Sequence, residues 1–268
     1  MSGSTLHDAA MGGWQNRTME PPSLPRAPRL FCPGNISPGA LLSLPDQAAH
    51  HAARVLRLGP GDAVCVFNGD GSEWEAQIAS VHKADVTVRV GGRHVRDVEA
   101  PLRVLLAQGI SSRERMELTV QKAVELGVAA IQPLETRRSV VKLREERASR
   151  RVEHWQNLVA AACEQCGRNR VPEVLPIESL PDWLGGIGRR GEDTRILLTP
   201  GASDRLRDLP PPRQVTLLIG PEGGLAPEEQ ELAQACGFQP VQLGPRILRT
   251  ETAAMAAMAA MHALWGDF

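Results

Sequence analysis

Two stretches near the carboxyl end carry residue types at spacings that could hold a ligand. The first, Val215 to Gly224 (VTLLIGPEGG), runs five apolar or β-branched residues into Gly220-Pro221-Glu222-Gly223-Gly224. The second, Leu243 to Ala253 (LGPRILRTETA), opens on a Gly244-Pro245 turn and carries Arg246, Arg249 and Glu251. Glycine and proline in tight turns leave backbone amides and carbonyls without regular partners, which suits recognition of a small polar molecule. Each turn follows a strand, so the exposed groups are expected together at one sheet edge, where open α/β sheets bind ligands. The first turn has no Gly-Lys-Ser/Thr, so the P-loop chemistry of nucleoside triphosphate hydrolysis is unsupported.

Other patterns carry less. Gly186-Ile187-Gly188-Arg189-Arg190-Gly191 has G-x-G-x-x-G spacing, but a dinucleotide fingerprint needs a strand before it and a helix after it. Here Leu-Pro-Asp-Trp-Leu precedes and a strand follows, so a loop is expected. Cys163-Glu164-Gln165-Cys166 has no second ligand pair and closes a helix rather than opening one; two half-buried thiols are expected. His50 and His51 read as helix-surface residues, with no Cys or acidic partner at ligand spacing, and no metal is expected. Met255, Met258 and Met261 recur every three residues, as a packing stripe against the sheet or a partner subunit.

The elements that must position the two turns alternate. Leu102–Ala107, Ala129–Leu134, Ile196–Thr199, Val215–Ile219 and Pro240–Leu243 read as strands. Helices are expected from Ser111 or Ser112 to Leu126, over Arg150–Cys166, over Pro227–Ala235 and from Ala253, after Thr252, onward. Strands alternating with helices predict a parallel sheet covered on both faces. Ahead of them, Asp46 is expected to cap a helix over Gln47–Leu56. Strands at Ala63–Phe67, Trp74–Val81 and Val86–Val90 suggest a small β-barrel, the first two joined by the Asn68-Gly69-Asp70-Gly71 turn. Three regions follow: an extension over 1–28, a β-domain over 29–96, and an α/β domain over 101–268, the boundary lying in polar Gly91–Ala100.

The formal net charge of −1 predicts no overall polybasic or polyacidic attraction. Five scattered cysteines do not make a disulfide framework and suit a reducing cytoplasm. No apolar run is long enough to span a bilayer, and the first residues lack a secretory pattern. Between Arg137 and Arg170, nine basic residues outnumber four acids. Lys142 and Arg144 are among them, and the stretch reads equally as a solvated helix face or a phosphate-tracking patch.

Several long motifs then resemble one family. IGPEGGL from Ile219, LGPRILRTETA from Leu243, ACEQCGRNRVPE from Ala162 and MELTVQKAVELGV from Met116 are similar to the RsmE family of the SPOUT superfamily. HAARVLRLGPGD, from His51, resembles that family's PUA-like RNA-binding domain. The family methylates N3 of a uridine in 16S ribosomal RNA. The resemblance implies a carboxy-terminal trefoil knot, S-adenosylmethionine as cofactor and a homodimer. By family position, cofactor contacts fall on Leu198, Thr199, Gly220, Glu222, Gly223, Leu243, Gly244, Leu248, Thr250 and Ala253. A Ser commonly follows the GPEGG turn as helix cap; Ala226 stands there, with Pro227, Glu228 and Glu229 to compensate.

Methylating uridine N3 requires loss of its proton, hence a base, or a cation that stabilises charge on the flanking carbonyl oxygens. Arg249 is the candidate cation, and Glu251 or Glu222 the candidate proton acceptor, each equally able to cap a helix or hold an arginine. Gln165, Arg168 and Arg170, with Arg54 and Arg57 in the β-domain, are the candidate RNA contacts. A related enzyme acting on ribose oxygen or transfer RNA, and a non-catalytic RNA-binding assembly factor, remain as alternatives.

Overall fold

A computed structural model describes residues 27–83, 85–139, 145–187 and 193–268. The extension up to residue 26, Lys142 and Arg144 of the basic stretch, and Gly188–Gly191 of the G-x-G-x-x-G pattern lie outside the described residues.

The chain opens with β1 (Arg29–Phe31), β2 (Leu41–Ser43) and α1 (Asp46–His50), then β3 (Ala63–Phe67), β4 (Ser72–His82) and β5 (Asp85–Val95). These strands form one sheet in the order β1-β3-β4-β5-β2, with β1 parallel to β3 and the other pairs antiparallel. The turn between β3 and β4 is held by its own side chains. Asn68 Oδ1 accepts from the Asp70 amide (3.2 Å), and Asp70 Oδ1 from the Ser72 amide (2.7 Å). Alternate residues Val64, Val66, Trp74, Ile78, Val86 and Val88 bury the inner face against Ala48, Ala49 and Ala52.

Two expectations change here. The helix is shorter, because Asp46 is its first residue and makes no capping bond, and after His50 the backbone widens into a π-turn over His51–Val55. β5 runs five residues past Val90, its polar end pairing with Ser72–Trp74.

The second sheet is built from β6 (Arg103–Gly109), β7 (Ala130–Glu135), β8 (Glu173–Val174), β9 (Glu178–Ser179), β10 (Thr194–Leu198), β11 (Asp204–Arg205), β12 (Gln214–Ile219) and β13 (Gln239–Gln242). Its order is β11-β13-β10-β12-β6-β7-β8, β9 also pairs β7, and every pairing is parallel. The helices are α2 (Arg113–Glu125), α3 (Glu145–Cys166), α4 (Leu180–Gly186), α5 (Pro227–Ala235) and α6 (Thr250–Trp265).

Strand alternation explains why both faces are covered. Val215, Leu217 and Ile219 of β12 join Ile196 and Leu106 against α2, α3 and α6, through Met116, Val120, Val159, Ala257, Met258 and Met261. Leu218, Leu197 and Ala107 point to the other face, against Leu184, Trp183, Ala233 and Phe238 of the α4–α5 region. Met258 and Met261 therefore pack on the sheet. The fold is the expected α/β architecture with a separate small β-sheet ahead of it.

The loop after α3 stitches the two sheets together. Gly69 and Asp70 pair with Arg170 as isolated bridges. Arg29 of β1 binds Glu73 and reaches Asn169 Oδ1 and the Arg168 carbonyl. The Glu164 carboxylate accepts the Phe31 amide (2.8 Å) and lies 3.4 Å from His51; its burial pushes its pKa up. Cys163 is buried and its thiol is raised to about 12 by that burial, while Cys166 is only part-buried and also raised. Both stay thiols at neutral pH.

Arg168, expected to contact RNA, is instead buried at 5 % exposure. Its guanidinium forks onto Glu99 and donates to the carbonyls of Val124 (3.0 Å) and Val128 (2.9 Å) beyond the end of α2. All its charge is spent inside the protein. Arg168→Ala is therefore expected to lower unfolding free energy by about 3 kcal/mol, by stranding Glu99 and two carbonyls. Gln165→Ala, on the exposed side of α3, should change it by less than about 0.5 kcal/mol. Urea unfolding of both variants checks this.

Candidate functional site

Because the strands are parallel, β10, β12 and β13 end at the same edge, and the chain leaves them at Thr199, Gly220 and Leu243. Beyond these ends lies a cavity of about 400 Å³. Leu198 and Thr199 form one wall, Gly220, Glu222 and Gly223 another, Leu243, Gly244 and Leu248 a third, and Thr250 and Ala253 of α6 the base. All ten residues expected around the cofactor meet at this one cavity.

A hydrogen-bonded node closes its floor. Thr250 Oγ1 donates to the Gly220 carbonyl (2.7 Å) and accepts from Gln108 Nε2 (2.9 Å). Gln108 also donates to the Gly109 carbonyl at 3.0 Å. The node fixes Thr250, where α6 begins, three residues before the expected start, with Arg249 as its N-cap residue. Two close backbone approaches accompany it. A Cβ on Gly220 would lie 2.7 Å from the Leu225 nitrogen, and one on Gly109 2.6 Å from Pro221 Cδ. Neither position has room for a side chain.

Helix α5 shows how the missing serine cap is replaced. Ala226 has no capping side chain, but the Glu229 carboxylate reaches back to accept the Ala226 amide (2.8 Å) and also takes the Arg137 amide (2.8 Å). Pro227 opens the helix.

The charged candidates separate. Glu222 lines the cavity, and its Oε1 accepts the Ser112 amide (2.8 Å) at the start of α2, with Arg115 Nη1 at 3.5 Å. Burial pushes its pKa up, but the Ser112 amide and Arg115 outweigh that and hold it below the usual carboxylate range. Glu251 lies outside the cavity lining, buried against α2 with Arg115 Nε at 3.9 Å. Glu222 is ionised but a weakened base, since a depressed pKa lowers its affinity for a proton, and Glu251 does not line the cavity; Oε2 of each is buried without a hydrogen-bond partner among the described residues. Arg249 is exposed, and its side chain has no hydrogen bond or ion pair among the described residues. It sits next to the lining residues Leu248 and Thr250 without itself lining the cavity.

Three residues not singled out in the sequence belong here. Arg138 donates to the Gly223 carbonyl at 2.8 Å and borders the cavity; its only signal was membership of the basic stretch. Arg115 bridges Glu222 and Glu251, and Gln108 carries the node. Nothing local distinguishes these two, since the partners that bring them to the site, Glu222 and Glu251 for Arg115 and Thr250 for Gln108, are all more than a hundred residues away. Of the RNA candidates, Arg54, Arg57, Gln165 and Arg170 are exposed, and none lines the cavity.

The cavity fits S-adenosylmethionine. Its size falls within the roughly 300–1,000 Å³ typical of cofactor sites. Leu198, Leu243 and Leu248 offer apolar contact, turn backbone offers polar contact, and Glu222 is the one carboxylate in the lining, suited to a cationic ligand.

A parallel α/β sheet with this cavity at its strand ends, behind a small β-domain, is matched in both parts by RNA methyltransferases. The model of an RNA methyltransferase domain matches residues 98–262, and that of an RNA methyltransferase PUA domain matches 44–91. Ribosomal RNA small subunit methyltransferase E of Buchnera aphidicola is 33 % identical over 90 % of this chain and 98 % of that protein. The crystal structure of the Neisseria gonorrhoeae protein of that name, bound to S-adenosylmethionine, aligns with TM-score 0.83 and 41 % identity, over 90 % of this chain and 99 % of that one. A Legionella pneumophila methyltransferase in complex with the same cofactor aligns with TM-score 0.87 and 43 % identity, over 91 % and 100 %. The chain belongs to the ribosomal RNA small subunit methyltransferase E family.

Gly220→Ala should cost about 1–3 kcal/mol in stability through overpacking of the turn. It should weaken S-adenosylmethionine binding by more than about tenfold, as read by calorimetric titration. Glu222 gives a pH test. Because its folded-state pKa is depressed, its contribution is complete at neutral pH and is lost as pH falls below 4.5 through the folded value. Wild type should exceed Glu222→Gln in stability at neutral pH, and the gap should close on acidification, as followed by urea unfolding across that range.

Proposed function

We propose that this chain transfers the methyl group of S-adenosylmethionine to N3 of a uridine in 16S ribosomal RNA. The observation that carries the reading is the meeting of ten expected cofactor residues at one cavity with an unpaired arginine, Arg249, beside it. When bound, S-adenosylmethionine supplies a methyl group already activated for displacement, so positioning is the main task left to the protein.

The turns after β10, β12 and β13 hold the cofactor through backbone groups, and the Thr250–Gly220–Gln108 node keeps those turns in register. Arg249 stabilises the negative charge that spreads onto the uracil carbonyl oxygens as the N3 proton leaves. Glu222, held ionised, serves as an electrostatic wall and as the cap of α2 rather than as the proton acceptor. Glu251 orients Arg115 and does not contact substrate. Glu222 Oε2 has no hydrogen-bond partner among the described residues, but its depressed pKa makes it a weak base, so the proton passes on to solvent.

Residues 29–96 form the RNA-binding unit, with Arg54, Arg57, Gln165 and Arg170 as contacts outside the cavity, and 101–268 the transferase. Leu243, Gly244, Arg246, Ile247 and Leu248 line the cavity between the end of β13 and the start of α6. The trefoil-knot reading is supported by membership of the family. The working form is a cytoplasmic homodimer joined through the α2–α6 face. There a cavity is lined by Leu126, Met255, Ala256 and Ala259 with Lys122, Glu125 and Thr252, and Leu118 is exposed on α2.

Nucleoside mass spectrometry of 16S ribosomal RNA tests the reading. Deleting the gene should remove 3-methyluridine, and wild type should restore it. Loss of a ribose-methylated nucleoside instead, or no loss, would overturn the substrate assignment. Arg249→Ala should reduce the methylation rate constant by about 10²–10³, while S-adenosylmethionine affinity stays within about twofold.

A further inference from the structure

The mouth of the cavity carries an apolar side chain that the reaction described above does not use. Ile247 is 85 % exposed, the most exposed of the large apolar side chains among the described residues. Of those exposed side chains it alone borders the cavity. A single exposed apolar residue on a surface is ordinary. This one is set apart by its neighbours. Arg246 and Arg249 flank it, both exposed and neither side chain with a hydrogen bond or ion pair among the described residues. Elsewhere around the site arginines are engaged: Arg115 with Glu222 and Glu251, Arg137 with Glu228, Arg138 with the Gly223 carbonyl. The mouth thus presents a β-branched side chain of restricted rotamer freedom between two uncommitted cations.

A uridine within a stacked strand cannot bring N3 to a methyl donor held below this mouth; it must be turned out of its stack. Proteins that unstack nucleic acid insert an apolar side chain between bases while cations hold the flanking phosphates. Resting on the RNA-methyltransferase reading above, we propose that Ile247 is the unstacking wedge. It fills the gap that the extruded uridine leaves in the strand, while Arg246 clamps the adjoining phosphate and Arg249 attends the extruded base. The occupant of this surface is RNA, because two unpaired cations around an apolar tip complement a polyanion with stackable bases.

The test uses the full chain and an RNA hairpin carrying the target uridine, with 2-aminopurine as its neighbour. In wild type, binding should raise 2-aminopurine fluorescence as the stack opens. In Ile247→Ala the rise should be lost and kcat should fall about tenfold or more, with KM for RNA and the S-adenosylmethionine dissociation constant both within about twofold of wild type. Ile247→Leu should keep most of both signals. An RNA in which the nucleotide opposite or beside the target is abasic, so that the uridine is already unstacked, should restore kcat to Ile247→Ala. Leu232→Ala, which removes an exposed apolar side chain of α5, should behave as wild type.

Three results would overturn the proposal. Weaker S-adenosylmethionine binding without RNA would make Ile247 a cover for the cofactor. A shift to monomer in sedimentation would make it part of a subunit contact. An unchanged fluorescence rise with unchanged kcat would make it an ordinary surface residue. Failure of the parent reading looks different: wild type would give no methylated uridine, or one methylated at another atom, whatever Ile247→Ala does to the fluorescence.

Discussion

The hydrogen bond from Thr250 to the Gly220 carbonyl is the contact on which the site depends. Its three participants come from the end of β6, the end of β12 and the first turn of α6, and all are buried. Removing any one would leave another polar group buried without its partner, at a cost of about 1–3 kcal/mol. The bond also decides where α6 starts. Once Thr250 is fixed, Arg249 is placed just outside the helix and Ala253, one turn on, forms part of the cavity base. The segment carrying Arg246 and Ile247 is thereby anchored at β13 on one side and at the node on the other. A loop anchored at both ends can present exposed cations and an apolar tip at a defined place.

The sequence made the large elements legible because each has a period or a punctuation mark. β12 is a run of apolar residues, and the structure buries alternate side chains on opposite faces. α5 begins at a proline and ends before a glycine, and its bounds match the expected ones. The start of α6 was not legible, since Arg249 has no capping side chain and Thr250 is held by a tertiary hydrogen bond. The polar end of β5 read as a linker because pairing with Ser72–Trp74 is non-local. Strands of two residues, β8, β9 and β11, are too short to show any period.

Site residues divided along the same line. The cofactor cavity was legible since its walls are the strand-ending turns themselves, and Gly/Pro punctuation marks those directly. Charged residues were not, because a sequence does not distinguish a buried arginine from a solvated one. Arg168 had the composition of an RNA contact and proved to be a strut, its charge taken up by Glu99 and two carbonyls. Glu222 had the credentials of a base and proved to cap α2 across the cavity wall, where the Ser112 amide keeps it ionised. In each case the deciding partner lies at least 40 residues away, as for Arg168 and Val128.

Charge at the mouth gains its meaning from the neutrality of the rest. With a net charge of −1 the chain exerts little long-range pull on RNA, so attraction has to be local. Arginines that are paired or buried contribute little to an external field, because their partners cancel it at short range. What remains at the cavity edge is the uncancelled charge of Arg246 and Arg249, exposed on a loop that the node holds in place. A polyanion approaching this edge meets cation, apolar tip and cation in chain order. The methyl-donor cavity lies directly beneath, so the geometry that draws the strand in also dictates which nucleotide faces the donor.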